Sequence, residues 1–261
     1  MTEAARSFPT VAAIVLTLNE QGHIADCLDS LRWADQRIVF DSFSTDQTVS
    51  LAHDAGARVV QNRFENYAQQ RNAALADIDA AWVFFVDADE RCPVELAREV
   101  RDVVQGGGMG HDVWATPRHN YLFGRLTLGA GWYPDYQARL FRVGAADFEP
   151  SRAVHELPRF KGEMGYLKQV LIHYNYATVA QFHAKQRRYA AYDAGILFQQ
   201  GVRPKPHNFV LQPVREFRRR FFALKGYRDG LHGLRLSLLL AYYNWFMYRR
   251  LAELWRQSAS I

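Results

Sequence analysis

The sequence predicts an α/β protein built on a mostly parallel sheet, and three observations carry that prediction. Short apolar runs alternate with helical segments four times in the first 90 residues, the pattern of successive strand–helix–strand units. The runs are uninterrupted, as in Trp82-Val83-Phe84-Phe85-Val86, so these strands are buried on both faces. Three of the four end in polar or acidic residues: Asn19-Glu20, Asp41 and Asp87/Asp89. Unpaired carboxylates cannot stay in such a core, so they sit at the strand exits. In open α/β sheets, ligands bind at that edge.

The elements follow in order. Val11–Leu16 is the first strand, and Ile24, Cys27, Leu28 and Leu31 then share one helical face. Arg37–Phe40 is the second strand. Thr45 or Asp46 can cap the helix that runs through Ala55, and Gly56 closes it. Arg58–Gln61 is the third strand, and Phe64–Ala76 is a helix carrying Gln70-Arg71-Asn72. The fourth strand runs from Trp82 into Asp87-Ala88-Asp89-Glu90. Gly106-Gly107-Gly108 reads as a flexible connection. Beyond it, Val113–Pro117, Gln137–Val143 and Val170–Tyr176 read as strands, with an aromatic, Gly-rich loop before the second of them. Thr178 caps a helix that ends at Gln199, before Gly201. The tail Val214–Trp255 is basic and aromatic, with helical periodicity broken at Gly226, Gly230 and Gly233.

Composition narrows the classes. A chain of 261 residues, 49% hydrophobic and 23% charged, is globular, with length for one large domain or two small ones. Cys27 and Cys92 stand alone, with no CxxC and no His/Cys cluster, which argues against a disulfide scaffold or a zinc site. No apolar signal segment precedes the first strand, and no uncharged apolar stretch reaches the ~20 residues of a spanning helix. The net charge of +5 is local. Eight Lys/Arg and one acid between Arg203 and Arg228 give that window +7. Such a patch suits an anionic surface.

Asp87-x-Asp89 admits two readings. The pair can cap a helix starting near Pro93, or hold a hard divalent cation with phosphate oxygens. Neither GxGxxG nor GxxxxGK[ST] is present, so a Gly-rich phosphate cradle is not expected. Three acidic strand ends on one edge favour the ligand reading.

Four segments come in the order and spacing of family 2 glycosyltransferases: Ile14–Glu20, Asp41–Asp46, Gln70-Arg71-Asn72 and Asp87-Ala88-Asp89. The resemblance covers nearly the whole chain and implies the GT-A fold. Trp132–Asp135, Arg139-Leu140-Phe141, Val154-His155-Glu156 and Lys225–Gly230 further resemble the bacterial subgroup that adds β-linked glucose to the inner core of lipopolysaccharide. The resemblance implies that Thr17, Asn19 and Glu20 line a nucleotide pocket and that Asp41 accepts a hydrogen bond from uracil. It places Arg71 beside the nucleotide, Asp87 toward ribose and metal, and Asp89 on the metal, Mn2+ or Mg2+. Phe43 stands where the family usually has Gly, a departure that bears on the turn after Asp41.

Inverting transfer needs a cation for the leaving diphosphate and a carboxylate to take the acceptor's proton. Asp135 and Glu156 compete for that second role. Asp135 takes precedence because Trp132 and Tyr133 beside it can form a wall for a sugar, although Pro134-Asp135 is also an ordinary turn dipeptide. Arg139 can pair with the diphosphate or with Asp135. His155 and His173 read as structural, and Trp132 and Tyr121 can equally be core aromatics.

The expected organisation is a catalytic domain over residues 1–200, with its nucleotide-sugar half over about 1–105 and its acceptor half over about 106–200. A basic helical region covers 201–261. The expected partners are a UDP-sugar donor, a glycolipid acceptor and an anionic membrane surface, with no nucleic acid, in a cytoplasmic protein peripheral to the inner membrane. A metal-dependent phosphohydrolase also carries Asp-x-Asp after an apolar strand, but there the motif usually opens the domain. A non-enzymatic membrane-binding protein would leave the three acidic strand ends unexplained.

Overall fold

The computed structural model describes residues 9–149 and 158–259. The chain forms two compact units. The first comprises residues up to 118 together with 136–173, and the second comprises 119–135 together with 174 onward. The long helix after Thr178 therefore groups with the C-terminal helices, across the boundary that the sequence suggests at residue 200.

The first unit opens with β1 (Val11–Thr17), α1 (Ile24–Ser30), β2 (Gln36–Asp41), α2 (Thr48–Asp54), β3 (Arg58–Gln61), α3 (Tyr67–Ala76) and β4 (Trp82–Asp87). The two-residue β5 (Glu90–Arg91) and α4 (Val94–Gln105) follow. Strands β3, β2, β1 and β4 lie side by side, all parallel. The order 3-2-1-4 is that of a doubly wound half-sheet. On most of β1 and β4 and the last four residues of β2, side chains on both faces are buried. Val11, Ala13, Val15, Trp82, Phe84 and Val86 join a core with α1 and α4, while Ala12, Ile14, Phe40, Val83 and Phe85 join another that includes Ala68 and Ala74 of α3. Each fully buried Phe contributes about 1.5–3 kcal/mol from area removed from water.

The sheet then turns antiparallel. Strands β6 (Val113–Leu122), β7 (Arg125–Thr127) and β8 (Tyr136–Arg142) follow α4. β8 pairs antiparallel with β4 and with β6. β9 (Ala146–Phe148) pairs with β10 (Pro158–Phe160), and β11 (Gly165–Tyr166) lies parallel to β6. The triple glycine is a packed turn: a Cβ on Gly108 would stand 2.8 Å from the indole of Trp82. The start of β12 (Leu171–Tyr176) pairs with β5, setting His173 opposite Glu90.

The second unit contains the far end of β6 paired with β7, α5 (Val179–Gln199), α6 (Asn208–Arg218) and α7 (Gly230–Ser258). Thr178 caps α5, as the sequence predicts, and the structure adds a reciprocal bond from Gln181 that completes a capping box. A π-helical turn, Arg219–Ala223, continues α6, and a 3₁₀ turn, Gly226–Asp229, leads into α7. The sequence reading breaks the last helix at Gly233, but α7 runs through it. Gly233 serves instead for close approach, since a Cβ there would lie 1.9 Å from the carbonyl oxygen of Gly226. Among the described residues no helix is long and apolar enough to cross a membrane.

Candidate active site

The parallel register fixes the first part of the site. Thr17 pairs with Asp41 across β1 and β2, and Leu16 pairs with Asp87 across β1 and β4. The polar ends of three strands thus share one sheet edge, as expected from sequence.

The loops after β1 and β2 are laced together. The backbone N–H groups of Asn19, Glu20 and Gln21 donate to Ser44 Oγ, Thr48 Oγ1 and Asp46 Oδ2 at 2.8, 2.7 and 3.2 Å. The Asn19 side chain accepts from the Thr45 N–H at 2.8 Å. The N-cap position of α2 is Gln47, without a side-chain cap, where the sequence suggested Thr45 or Asp46; Asp46, one residue earlier, accepts from the Thr48 N–H at 3.0 Å. Asp41 is fully buried and accepts from Thr17 Oγ1 (3.2 Å), the Ser44 N–H (2.9 Å), Gln61 Nε2 (3.3 Å) and the Ser44 hydroxyl. Phe43, where the family usually has Gly, holds φ +63°, a left-handed conformation that glycine adopts without strain. Its side chain is exposed.

Gln70-Arg71-Asn72 is explained residue by residue. Gln70 accepts from Asn62 Nδ2 at 2.7 Å and donates to Ser42 Oγ at 3.3 Å. Asn72 exchanges hydrogen bonds with the backbone of Phe148 at 2.7 and 2.9 Å. Arg71 lies over the rings of Phe85 and Phe148, with its guanidinium 4.0 Å from Asp87 Oδ1.

Neither aspartate caps a helix: α4 starts at Pro93 without a side-chain cap. Arg139, buried on β8, donates to Asp87 at 2.5 and 3.4 Å and to Glu90 at 2.6 Å. Arg139 therefore pairs with Asp87 and Glu90, where the sequence reading offered the diphosphate or Asp135. Glu90, fully buried, also accepts from Arg118 at 3.2 Å and from the Asp87 N–H at 2.9 Å. Burial pushes the Asp87 carboxyl up, but the cations of Arg139, Arg71 and Arg118 outweigh it and hold Asp87 well below the usual carboxylate range. Burial likewise opposes the charge on Arg139, and Asp87 and Glu90 more than compensate.

Among the described residues no cluster of three or more His, Cys, Asp or Glu side chains is placed to hold a metal. A pair is placed: His173 Nε2 lies 3.4 Å from Asp89 Oδ2. A carboxylate and an imidazole suit a divalent cation that completes its shell with water and phosphate oxygens. Both oxygens of Asp87, by contrast, are engaged by Arg139. His173 and Glu90 received no catalytic role from the sequence. The β5–β12 pairing brings them to the site across about 80 residues of chain, a contact no local pattern announces.

In the second unit, Asp135 ends the loop after β7. Asn120, fully buried on β6, donates to Asp135 Oδ2 and to the Trp132 carbonyl, each at 3.0 Å. Trp132 packs edge-on against Tyr176 and belongs to the core of this unit, while Tyr133 is exposed beside the His119 ring. The C-terminal segment grips the same loop. Asp229 accepts from the N–H groups of Leu128 and Gly129 at 3.3 and 2.7 Å, and Arg220 donates to the Ala130 carbonyl at 2.8 Å. A Cβ on Gly129 would stand 2.5 Å from the Lys225 carbonyl oxygen, so the loop lies flat on this segment. His155 and Glu156 lie outside the described residues.

The fold and the sheet edge define an α/β protein with carboxylates and arginines gathered at the ends of its parallel strands. The chain belongs to glycosyl transferase family 2, whose sequence profile matches residues 12–148, and it is a glycosyltransferase with the GT-A fold. It is similar to the lipopolysaccharide core biosynthesis glycosyltransferase LpsC of Rhizobium meliloti (strain 1021), at 28% identity over 234 residues, 85% of this chain and 84% of that protein. It is also similar to an uncharacterized glycosyltransferase of Rickettsia bellii (strain RML369-C), at 25% identity, covering 94% of this chain and 86% of the relative. Among solved structures it matches glucosyl-3-phosphoglycerate synthase of Mycobacterium tuberculosis in complex with Mn2+, UDP and glucosyl-3-phosphoglycerate, at 25% identity and TM-score 0.37. That match covers 44% of this chain and 44% of the other, so the aligned part is less than half of that protein. Family membership sets aside the phosphohydrolase and the non-enzymatic readings.

Proposed function

We propose that this glycosyltransferase moves glucose from UDP-glucose, with inversion, onto the lipopolysaccharide core or another glycolipid, as a cytoplasmic enzyme peripheral to the inner membrane. The observation that carries the donor reading is the alignment of Thr17, Asp41 and Asp87 on one sheet edge, with Asp89 against His173. Thr17, Asn19 and Glu20 border the nucleotide pocket. Gln61 makes a long contact to Asp41 at 3.3 Å, and it is the partner a uracil N–H displaces. Asp87, fixed by Arg139, faces the ribose, and Arg71 lies beside the nucleotide. Arg139 acts through Asp87 and Glu90. Asp89 and His173 hold the divalent cation, Mn2+ or Mg2+, which supplies charge neutralisation for the leaving diphosphate. Asp135 takes the proton of the acceptor hydroxyl, and the Asn120 amide holds one of its carboxylate oxygens in place. Glu156 remains the alternative base. The likeness to LpsC supports a lipopolysaccharide-type acceptor.

The test is a thermal-shift panel of UDP-, GDP- and CMP-sugars with and without MnCl2. A selective ligand raises the melting temperature by linkage. UDP-glucose with Mn2+ is expected to give the largest shift, and Asp89→Ala and His173→Ala each to remove the Mn2+-dependent part. Equal shifts from all three nucleotide classes, or a metal response untouched by both variants, overturn the donor and metal assignments.

A further inference from the structure

Helix α6 and the π-helical turn after it form one continuous surface element, residues 208–223. No residue of either is fully buried. Burial instead alternates in pairs with a period of four. Phe209, Gln212-Pro213, Glu216-Phe217 and Arg220-Phe221 are half-buried, whereas Val210-Leu211, Val214-Arg215, Arg218-Arg219 and Phe222-Ala223 are exposed. That is one helical stripe turned to solvent. Its apolar members are strongly exposed: Val210 64%, Leu211 53%, Val214 50% and Phe222 58%. A soluble helix normally turns such residues inward.

The same stripe carries three arginines. Arg219 is paired with Glu216 at 2.8 Å. Arg215 and Arg218 make no ion pair among the described residues. Glu216, the only acid among residues 203–228, lies half-buried beside the stripe and is engaged by Arg219 and Arg220.

We propose that this stripe seats the protein in the plane of an anionic phospholipid surface, with Val210, Leu211, Val214 and Phe222 at the acyl boundary and Arg215 and Arg218 at the headgroups. The partner follows from the chemistry. Aliphatic side chains gain nothing from nucleic-acid bases, which stack on aromatic rings or guanidinium planes. A second copy would bring like-charged stripes face to face across a two-fold axis. A bilayer interface offers both an apolar layer and negative charge. The proposal deepens the glycolipid reading above and rests on it only for its biological use.

The test is co-sedimentation of the full chain with vesicles of phosphatidylcholine alone and of phosphatidylcholine with phosphatidylglycerol, across a salt series. Binding is expected only with phosphatidylglycerol and is expected to weaken as salt shortens the screening length. Each cation at the surface is worth roughly fivefold in affinity, so Arg215→Ser with Arg218→Ser should weaken binding by roughly 30-fold. Leu211→Ser with Val214→Ser should remove binding at every salt concentration, with unchanged melting temperature. Three results overturn the proposal: no wild-type binding, binding untouched by both double variants, or a wild-type dimer in light scattering that Leu211→Ser with Val214→Ser dissociates. UDP-glucose affinity is measured in parallel by calorimetry with MnCl2. Wild-type protein that binds vesicles as described but no UDP-glucose supports the surface and retires the donor reading.

Discussion

Removing the Glu90 carboxylate isolates the contribution of the buried charge network. Glu90 is fully buried, accepts from Arg139 at 2.6 Å and Arg118 at 3.2 Å, and receives the Asp87 N–H at 2.9 Å. Glu90→Ala leaves Arg139 buried with Asp87 as its remaining acid and leaves a buried N–H without its acceptor. Breaking a buried ion pair from one side costs ~3–5 kcal/mol. At about 2–4 °C per kcal/mol for a chain of this size, the melting temperature should fall by roughly 6–20 °C. Glu90→Gln, which keeps the shape and an amide oxygen for the Asp87 N–H while removing the charge, should recover part of that loss, because fewer buried polar groups are left unsatisfied. Circular dichroism melts of the two variants and wild type measure this. A Glu90→Ala protein melting within a degree of wild type refutes the reasoning, and so does a Glu90→Gln variant less stable than Glu90→Ala.

Two further outcomes follow from the second unit. Asp135→Asn should keep UDP-glucose affinity and lose turnover, and Asn120→Ala should lower kcat by about tenfold, the loss of one hydrogen bond to a charged group, with donor KM unchanged. In the Asp135→Asn background Asn120→Ala should add no further loss of turnover; independent losses in this double-mutant cycle count against the positioning role. His232 gives a pH signature: burial first, then Arg125 and Arg235, lower it from its usual 6.5 against the opposing pull of Asp229. The unfolded chain therefore takes the proton first as pH falls, so His232 contributes fully above pH 6.5 and loses stability below it, by at most ~1.4 kcal/mol per pH unit. Urea melts at stepwise pH should show a shallower loss between pH 7 and 5 for His232→Gln than for wild type, and an equal slope in the two proteins removes His232 as the source.

Local pattern determined much of this protein. Strands β1, β2 and β4 are legible because a strand buried on both faces must be a short, continuous apolar run, and the run must end where the first carboxylate appears. The edge holding Thr17, Asp41 and Asp87 follows, since parallel strands joined by helices all finish on one side. Phe43 was legible as a departure from a glycine position, and its positive φ gives the reason. The tertiary structure decided what each charge does. Arg139 is 49 residues from Glu90 and 52 from Asp87, and His173 reaches Asp89 only because β12 returns to pair with β5. Asn120 meets Asp135, and Asp229 meets Gly129, by the same kind of non-local approach. Sequence periodicity records which face of an element avoids water. It does not record which distant element covers that face, so ion-pair partners, the cation pair and the outward stripe of α6 become visible only when the chain is folded.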